Sequence, residues 1–173
     1  MKKTLIALSL VLSPVMFAQA ADGTINFSGN ITDAACTVDA DSASQTVNLG
    51  TVSAKAFSAA GSTAAPTKFN ITLSSCPATV TSASVKFDGL VNTTNTDLLA
   101  LNTDSTAAGV GIAIYEADSS TPVPLLTASS SQVIDSTDGA TNTLSFVAKY
   151  MATAATVTAG TANASTDFTI VYN

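Results

Sequence analysis

The stretch Phe168-Thr169-Ile170-Val171-Tyr172-Asn173 stands at the end of the chain. Phe168, Ile170 and Tyr172 recur at every second position, so they share one face of a strand. An apolar strand at a sheet edge is an aggregation hazard unless something covers it. In a closed sheet a neighbouring strand supplies that cover. The sequence supplies none there. It has instead a spare alternating segment near its start: Gly23, Ile25, Phe27, Gly29 and Ile31 on one face, separated by Thr24, Asn26, Ser28 and Asn30.

Between these ends the chain reads as short strands broken by turn residues. Val47 and Leu49 alternate over residues 45–49, which end at Gly50. Phe69, Ile71 and Leu73 alternate with Asn70 and Thr72. Val85 and Phe87 lead into Asp88-Gly89. Val110, Ile112 and Ile114 form another set, as do Leu144, Phe146, Ala148 and Tyr150. About seven such strands predict a β-sandwich. Residues 53–60 and 96–101 are each long enough for one helical turn. The Ser/Thr/Ala-rich stretches 58–66 and 129–141 read as surface loops of one domain, because no second core follows them.

The first twenty residues have a different character. Lys2 and Lys3 precede an apolar run from Thr4 to Val15, and Ala18-Gln19-Ala20 is the small-x-small pattern that a signal peptidase reads. The run is short for a bilayer span, and no stop-transfer pattern follows. Cleavage after Ala20 is therefore expected, in preference to a retained anchor. The organisation expected is a signal peptide at 1–20, an N-terminal extension at 21–32 and one sandwich domain at 33–173.

Charge removes several function classes. The chain has six Lys and Arg together against twelve acidic residues, a formal net charge of −6. Loss of Lys2 and Lys3 makes it more negative still. Nucleic-acid binding and polybasic membrane binding both need clustered cations, so neither partner is expected. There is no His, the usual acid–base group at neutral pH. The acidic residues sit in turn-like contexts such as Asp41-Ser42, Asp88-Gly89, Asp104-Ser105 and Asp138-Gly139, where they hydrogen-bond their own backbone. No S-x-x-K motif or phosphate-binding glycine loop is present. Residues 135–139 lack the spacing and the closing Glu of a calcium loop. No catalytic residue, metal site or cofactor is expected, and the chain is read as not an enzyme. Cys36 and Cys76 are the only cysteines. In an exported chain they are expected to form a disulfide, with two free thiols or a metal pair as alternatives. Two cysteines without His cannot complete a tetrahedral metal site.

Several blocks together resemble the major subunits of chaperone–usher pili, of the type 1 fimbrial kind. Gly23-Thr24-Ile25-Asn26-Phe27-Ser28-Gly29 is similar to the donor-strand segment of that family. Asp33-Ala34-Ala35-Cys36-Thr37-Val38 is similar to its first-cysteine motif, which lies on strand A. Gln45-Thr46-Val47-Asn48-Leu49-Gly50 and Phe69-Asn70-Ile71-Thr72-Leu73-Ser74-Ser75-Cys76 match further blocks. Gly160 with the penultimate Tyr172 matches the C-terminal motif that periplasmic pilus chaperones recognise.

The resemblance implies an all-β, incomplete immunoglobulin-like β-sandwich lacking its C-terminal strand, completed by donor-strand complementation. It implies that a periplasmic chaperone lends a strand to the groove beside Phe168, Ile170 and Tyr172 and holds the terminal carboxylate of Asn173. At the outer-membrane usher, the extension of the next subunit, carrying Gly23, Ile25, Phe27, Gly29 and Ile31, replaces that strand. The product is a homopolymer of identical or related subunits at the bacterial surface, supporting cell adhesion. A minor adaptor or tip-associated subunit is the alternative. A tip adhesin would need a second, sugar-binding domain, so direct binding of a host receptor is not expected. The chain departs from the family in the length of its arm: relatives often carry several more residues before the first cysteine. Here the position that would start the exchange falls on Ala21.

Overall fold

The computed structural model describes residues 22–31 and 34–173. The expected signal peptide, its cleavage point, Ala21 and Asp33 lie outside the described residues. The chain divides into two units, one ending at Ile31 and one beginning at Thr32. Within residues 22–31 no strand forms, although alternation predicts one. Ile25, Phe27 and Ile31 are 80, 92 and 104% exposed.

The second unit is a sandwich of seven strands. They are β1 (Thr37–Val38), β2 (Thr63–Ser74), β3 (Ser82–Gly89), β4 (Val110–Glu116), β5 (Gln132–Val133), β6 (Thr141–Ala152) and β7 (Thr166–Tyr172). One sheet has the order β1-β2-β6-β4 and the other β5-β3-β7, with every named pairing antiparallel. Alternate residues of both sheets face inward, as period two requires. Ile71, Leu73, Val85, Phe87, Leu144 and Phe146 are buried between them. Phe69, Phe87 and Phe146 form an aromatic knot with ring centroids 5.1–6.0 Å apart, and Phe87 meets Phe146 edge to face, a favoured arrangement.

Strand β4 is buried on both faces. Ile112 and Ile114 enter the main core, while Ala113 and Tyr115 pack with Leu98 and Val147 in a small cluster on the outer side. Lys149 lies 4.1 Å from the Tyr115 ring centroid and donates to the Ser119 carbonyl at 2.6 Å. Cys36 and Cys76 are joined in a disulfide, which resolves the alternatives left open by the sequence.

Four expectations need correction. Residues 45–49 join no sheet among the described residues. Val47 and Leu49 do turn inward, so the alternation reports packing on the core, and no neighbouring strand is present to pair with it. The expected loop 58–66 ends inside β2, where a register shift between Ala64 and Thr67 takes up the positive φ of Ala65 and leaves Pro66 off the ladder. Residues 96–101 form a turn rather than a helical turn, because Leu99 is captured by bridges to Val91 and Ile112. The expected loop 129–141 contains β5. A short helix, α1 (Ala40–Ala43), was not anticipated; Ser42 within it is buried and accepts from the Thr72 amide at 2.9 Å. The expected turn in 53–60 is present as a 3-10 helix at Ala54–Ala56.

Candidate functional site: an open groove beside the last strand

Strand β7 pairs with β3 and with no other strand among the described residues. Its inner residues sit opposite those of β3: Phe168 faces Phe87, Ile170 faces Val85 and Tyr172 faces Ala83. Val85 and Phe87 are 0 and 1% exposed, yet Phe168, Ile170 and Tyr172 are only half-buried. The difference is one of neighbours. The outer edge of β3 is covered by residues 126–133, through the Leu126 amide on the Phe87 carbonyl at 2.9 Å, the Ser129 amide on the Val85 carbonyl at 2.8 Å and the short strand β5. The outer edge of β7 faces a groove.

That groove has a cavity of about 920 Å³. Its floor is the core itself, with Phe69, Ile71, Phe87, Ile112 and Ile114 among the lining residues. One rim is the unpaired stretch 45–50 and the other is residues 162–168. A second cavity of about 430 Å³ continues past Gly50, Tyr150, Ala162 and Asn163 toward Val157. Both rims carry main-chain groups that no strand pairs. Main-chain donors and acceptors are obligatory hydrogen-bonding groups, so the groove offers two ladders above an apolar floor. This is the geometry that an added strand satisfies.

The C-terminal rim is held from outside. Ala108 and Thr158 exchange main-chain hydrogen bonds at 3.2 and 2.9 Å. The amides of Thr106 and Ala107 donate to the Thr161 carbonyl at 3.1 and 3.0 Å, and Asn102 donates to the Asn163 carbonyl at 2.7 Å. Gly160 is explained here. A Cβ at this position would meet Thr106 Oγ1 and stand 2.5 Å from the Ala107 nitrogen, so only glycine permits the approach. This bracing of 158–163 by 102–108 had no signal in the sequence beyond the glycine, because it joins two irregular segments without periodicity.

The end of β7 is tied down as well. Tyr172 Oη donates to the Cys36 carbonyl at 3.4 Å. The amides of Thr81 and Ser82 donate to the Asn173 main-chain oxygen at 3.1 Å each, and Thr81 Oγ1 donates to it at 2.9 Å. Burial pushes the hydroxyl pKa values of Tyr150 and Tyr172 upward, so both remain protonated donors at neutral pH. Among the described residues no group of three or more His, Cys, Asp or Glu is placed to hold a metal ion. Of the four acidic positions read as turns, Asp104 and Asp138 lie in turns, whereas Asp41 lies in α1 and Asp88 within β3, where helix and ladder pairing override the local turn signal; Asp135 accepts from the amide and hydroxyl of Thr137, at 2.9 and 2.7 Å. No helix among the described residues is long and apolar enough to cross a membrane.

Fold and groove together define a class: an immunoglobulin-like sandwich with one strand position unfilled. The chain belongs to the fimbrial protein family, whose model matches residues 25–173. It is 40% identical over 170 residues to the probable major fimbrial subunit LpfA of Escherichia coli O157:H7, covering 97% of this chain and 93% of that one. It is 42% identical over 154 residues to the type 1 fimbrial subunit of Salmonella typhimurium, covering 87 and 82% of the two chains. The crystal structure of the P pilus rod subunit PapA superposes with a TM-score of 0.64 at 23% identity, covering 80% of this chain and 99% of that one, which supports the fold. The protein is a structural fimbrial subunit, a component of bacterial surface fimbriae.

Proposed function

We propose that the subunit polymerises by donor-strand exchange, with the arm of one copy filling the groove of the next. The observation that carries this reading is the groove beside β7, open along two unpaired main-chain edges above an apolar floor. The arm has the complementary chemistry. Ile25, Phe27 and Ile31 are exposed and lie an even number of residues apart, so an extended arm presents them all on one side while its main chain bonds the rims. Burying each such side chain contributes roughly 1.5–3 kcal/mol. Register follows from the same period, because a slip by one residue would turn every apolar side chain toward water. The exchange trades one set of hydrogen bonds and apolar contacts for another and needs no catalytic group, in keeping with a structural role rather than an enzymatic one.

A subunit with an empty groove exposes apolar core, so a periplasmic chaperone that lends a strand, followed by transfer at an outer-membrane usher, completes the reading. Phe168, Ile170 and Tyr172 would flank the lent strand, with Gly160 and Asn173 at the two ends of the seat.

The experiment is deletion of residues 23–27. The truncated subunit is expected to accumulate in the periplasm bound to its chaperone and to form no fibres, as seen by shearing cells and by electron microscopy. Fibres from the truncated protein would sink the assignment of the arm.

A further inference from the structure

We propose that Gln45 and Asn48 are positioning residues for strand exchange: their side chains hold the rim 45–50 in place before any strand arrives, Gln45 as a hydrogen-bond donor and Asn48 as an acceptor. This rests on the donor-strand reading above. Ordering a loose segment costs conformational entropy, and a rim that is already ordered spares the incoming arm that cost. Among the described residues, 45–50 form no main-chain hydrogen bond with another main-chain group, so side chains must do the holding.

The holding points can be followed along the chain. After β1 the Asp39 amide still bonds the Thr72 carbonyl at 3.0 Å, and there main-chain pairing with this edge of β2 stops. Side chains continue it. Ser42 Oγ accepts from the Thr72 amide at 2.9 Å. Two residues away on the same edge, Gln45 Nε2 donates to the Asn70 carbonyl at 3.0 Å and reaches the Ser42 carbonyl at 3.5 Å. Val47 and Leu49 then pack against the core. At the far end Asn48 Oδ1 accepts from the Gly50 amide at 2.8 Å, and Gly50 has a φ of 69°, which glycine adopts without strain. This turn, closed by the Asn48 side chain on the backbone two residues on, bends the chain and occupies the Gly50 amide. A ladder on this rim therefore ends at Leu49. The rim is pinned at Gln45 and closed at Asn48, and its main chain is left free between them.

The two side chains play opposite hydrogen-bonding roles, and a carboxylate accepts but does not donate. Gln45→Glu therefore loses its bond, whereas Asn48→Asp keeps it, although both changes add the same charge. The probe is a labelled synthetic peptide with the sequence of residues 21–32, mixed with the subunit purified in complex with its chaperone, and capture is followed on native gels. Gln45→Glu and Asn48→Ala are each expected to slow capture about threefold to tenfold, the range of one net side-chain hydrogen bond. Asn48→Asp should capture at the wild-type rate, as should Thr46→Ala, a change at an exposed residue of the same rim. Once an arm is seated its own main chain holds the rim, so denaturant-driven dissociation of finished fibres should change less than about twofold in every variant. Equal rates for Gln45→Glu and Asn48→Asp would overturn the proposal, because charge alone moves both alike. Asn48→Ala at the wild-type rate would overturn it too, as would fibre dissociation that quickens as much as capture slows, the mark of a merely structural role. If Gln45→Glu does not accumulate, Gln45→Met, neutral and of similar length, takes its place with the same expected slowing; failure of both would assign Gln45 to folding of the subunit and also overturn the proposal. Wild-type subunit that captures no peptide sinks donor-strand exchange itself, whereas wild-type capture with no split between the two carboxylate variants sinks only the role of the rim.

Discussion

Gly160 shows how a single atom shapes the groove. Because its missing Cβ lets residues 158–163 approach Thr106 and Ala107, Gly160→Ala is expected to push that rim outward at a cost of about 1–3 kcal/mol. The measurement is the guanidinium midpoint for dissociation of intact fibres. A midpoint equal to wild type would show that the rim yields freely. A second residue-scale effect lies on the outer face of the smaller sheet. Asp88 and Asp167 are directly opposite in the β3–β7 ladder, and like charges in that position repel. Asp88→Asn is therefore expected to stabilise the fibre by about 0.2–1 kcal/mol, with the gain shrinking as salt is added. A loss of stability would mean that the carboxylate makes a compensating contact when subunits assemble.

At the scale of elements, the turns carry the pH dependence. Asp118 accepts the amides of Ser120 and Thr121 at 2.8 Å each, together with the Thr121 hydroxyl at 2.6 Å. The Thr121 hydroxyl first, then the two amides, hold its pKa well below the usual carboxylate value. The folded pKa lies below the unfolded one, so the contribution is present above about pH 4, the ordinary Asp value, and fades as pH falls toward the folded pKa. The denaturation midpoints of wild type and Asp118→Ala should differ at neutral pH and converge as the pH drops below about 4. A gap that stayed constant with pH would show that the turn does not depend on the charged form. The same scale explains which elements could be read in advance. Strands β2, β3, β4, β6 and β7 were legible because each has an apolar face against the core. The two-residue strand β5 was not, because so short a segment has no period to detect, and β1 was indicated only by the resemblance of its cysteine motif. Residues 45–49 looked like a strand and pair with nothing, since alternation shows which way side chains point and says nothing about who supplies the hydrogen bonds.

At the scale of the molecule, the disulfide and the groove pull in opposite directions. Cys36–Cys76 closes a separation of 40 residues, and loop-closure entropy makes that worth about 3–4 kcal/mol. The bond also fixes Cys36, whose carbonyl receives the Tyr172 hydroxyl. Replacing both cysteines by serine is expected to lower the yield of folded subunit severely, and to lower the denaturation midpoint of any fibres that form. Full fibre yield and an unchanged midpoint would refute this. The open groove works against stability, because it leaves Phe168, Ile170 and Tyr172 half-buried where a closed sandwich would seal them.

The sequence by itself determined the sandwich, the apolar character of both chain ends and the absence of His-based chemistry, since period, composition and residue type are local properties that survive without coordinates. Only the tertiary structure decided that β7 has β3 on one side and a groove on the other, that residues 45–50 and 162–168 form its rims, and that Gly160 and Tyr150 shape its far end. Those facts depend on which segments approach one another across long stretches of chain, and the hydrogen bonds and close contacts that bring them together leave no period in the sequence.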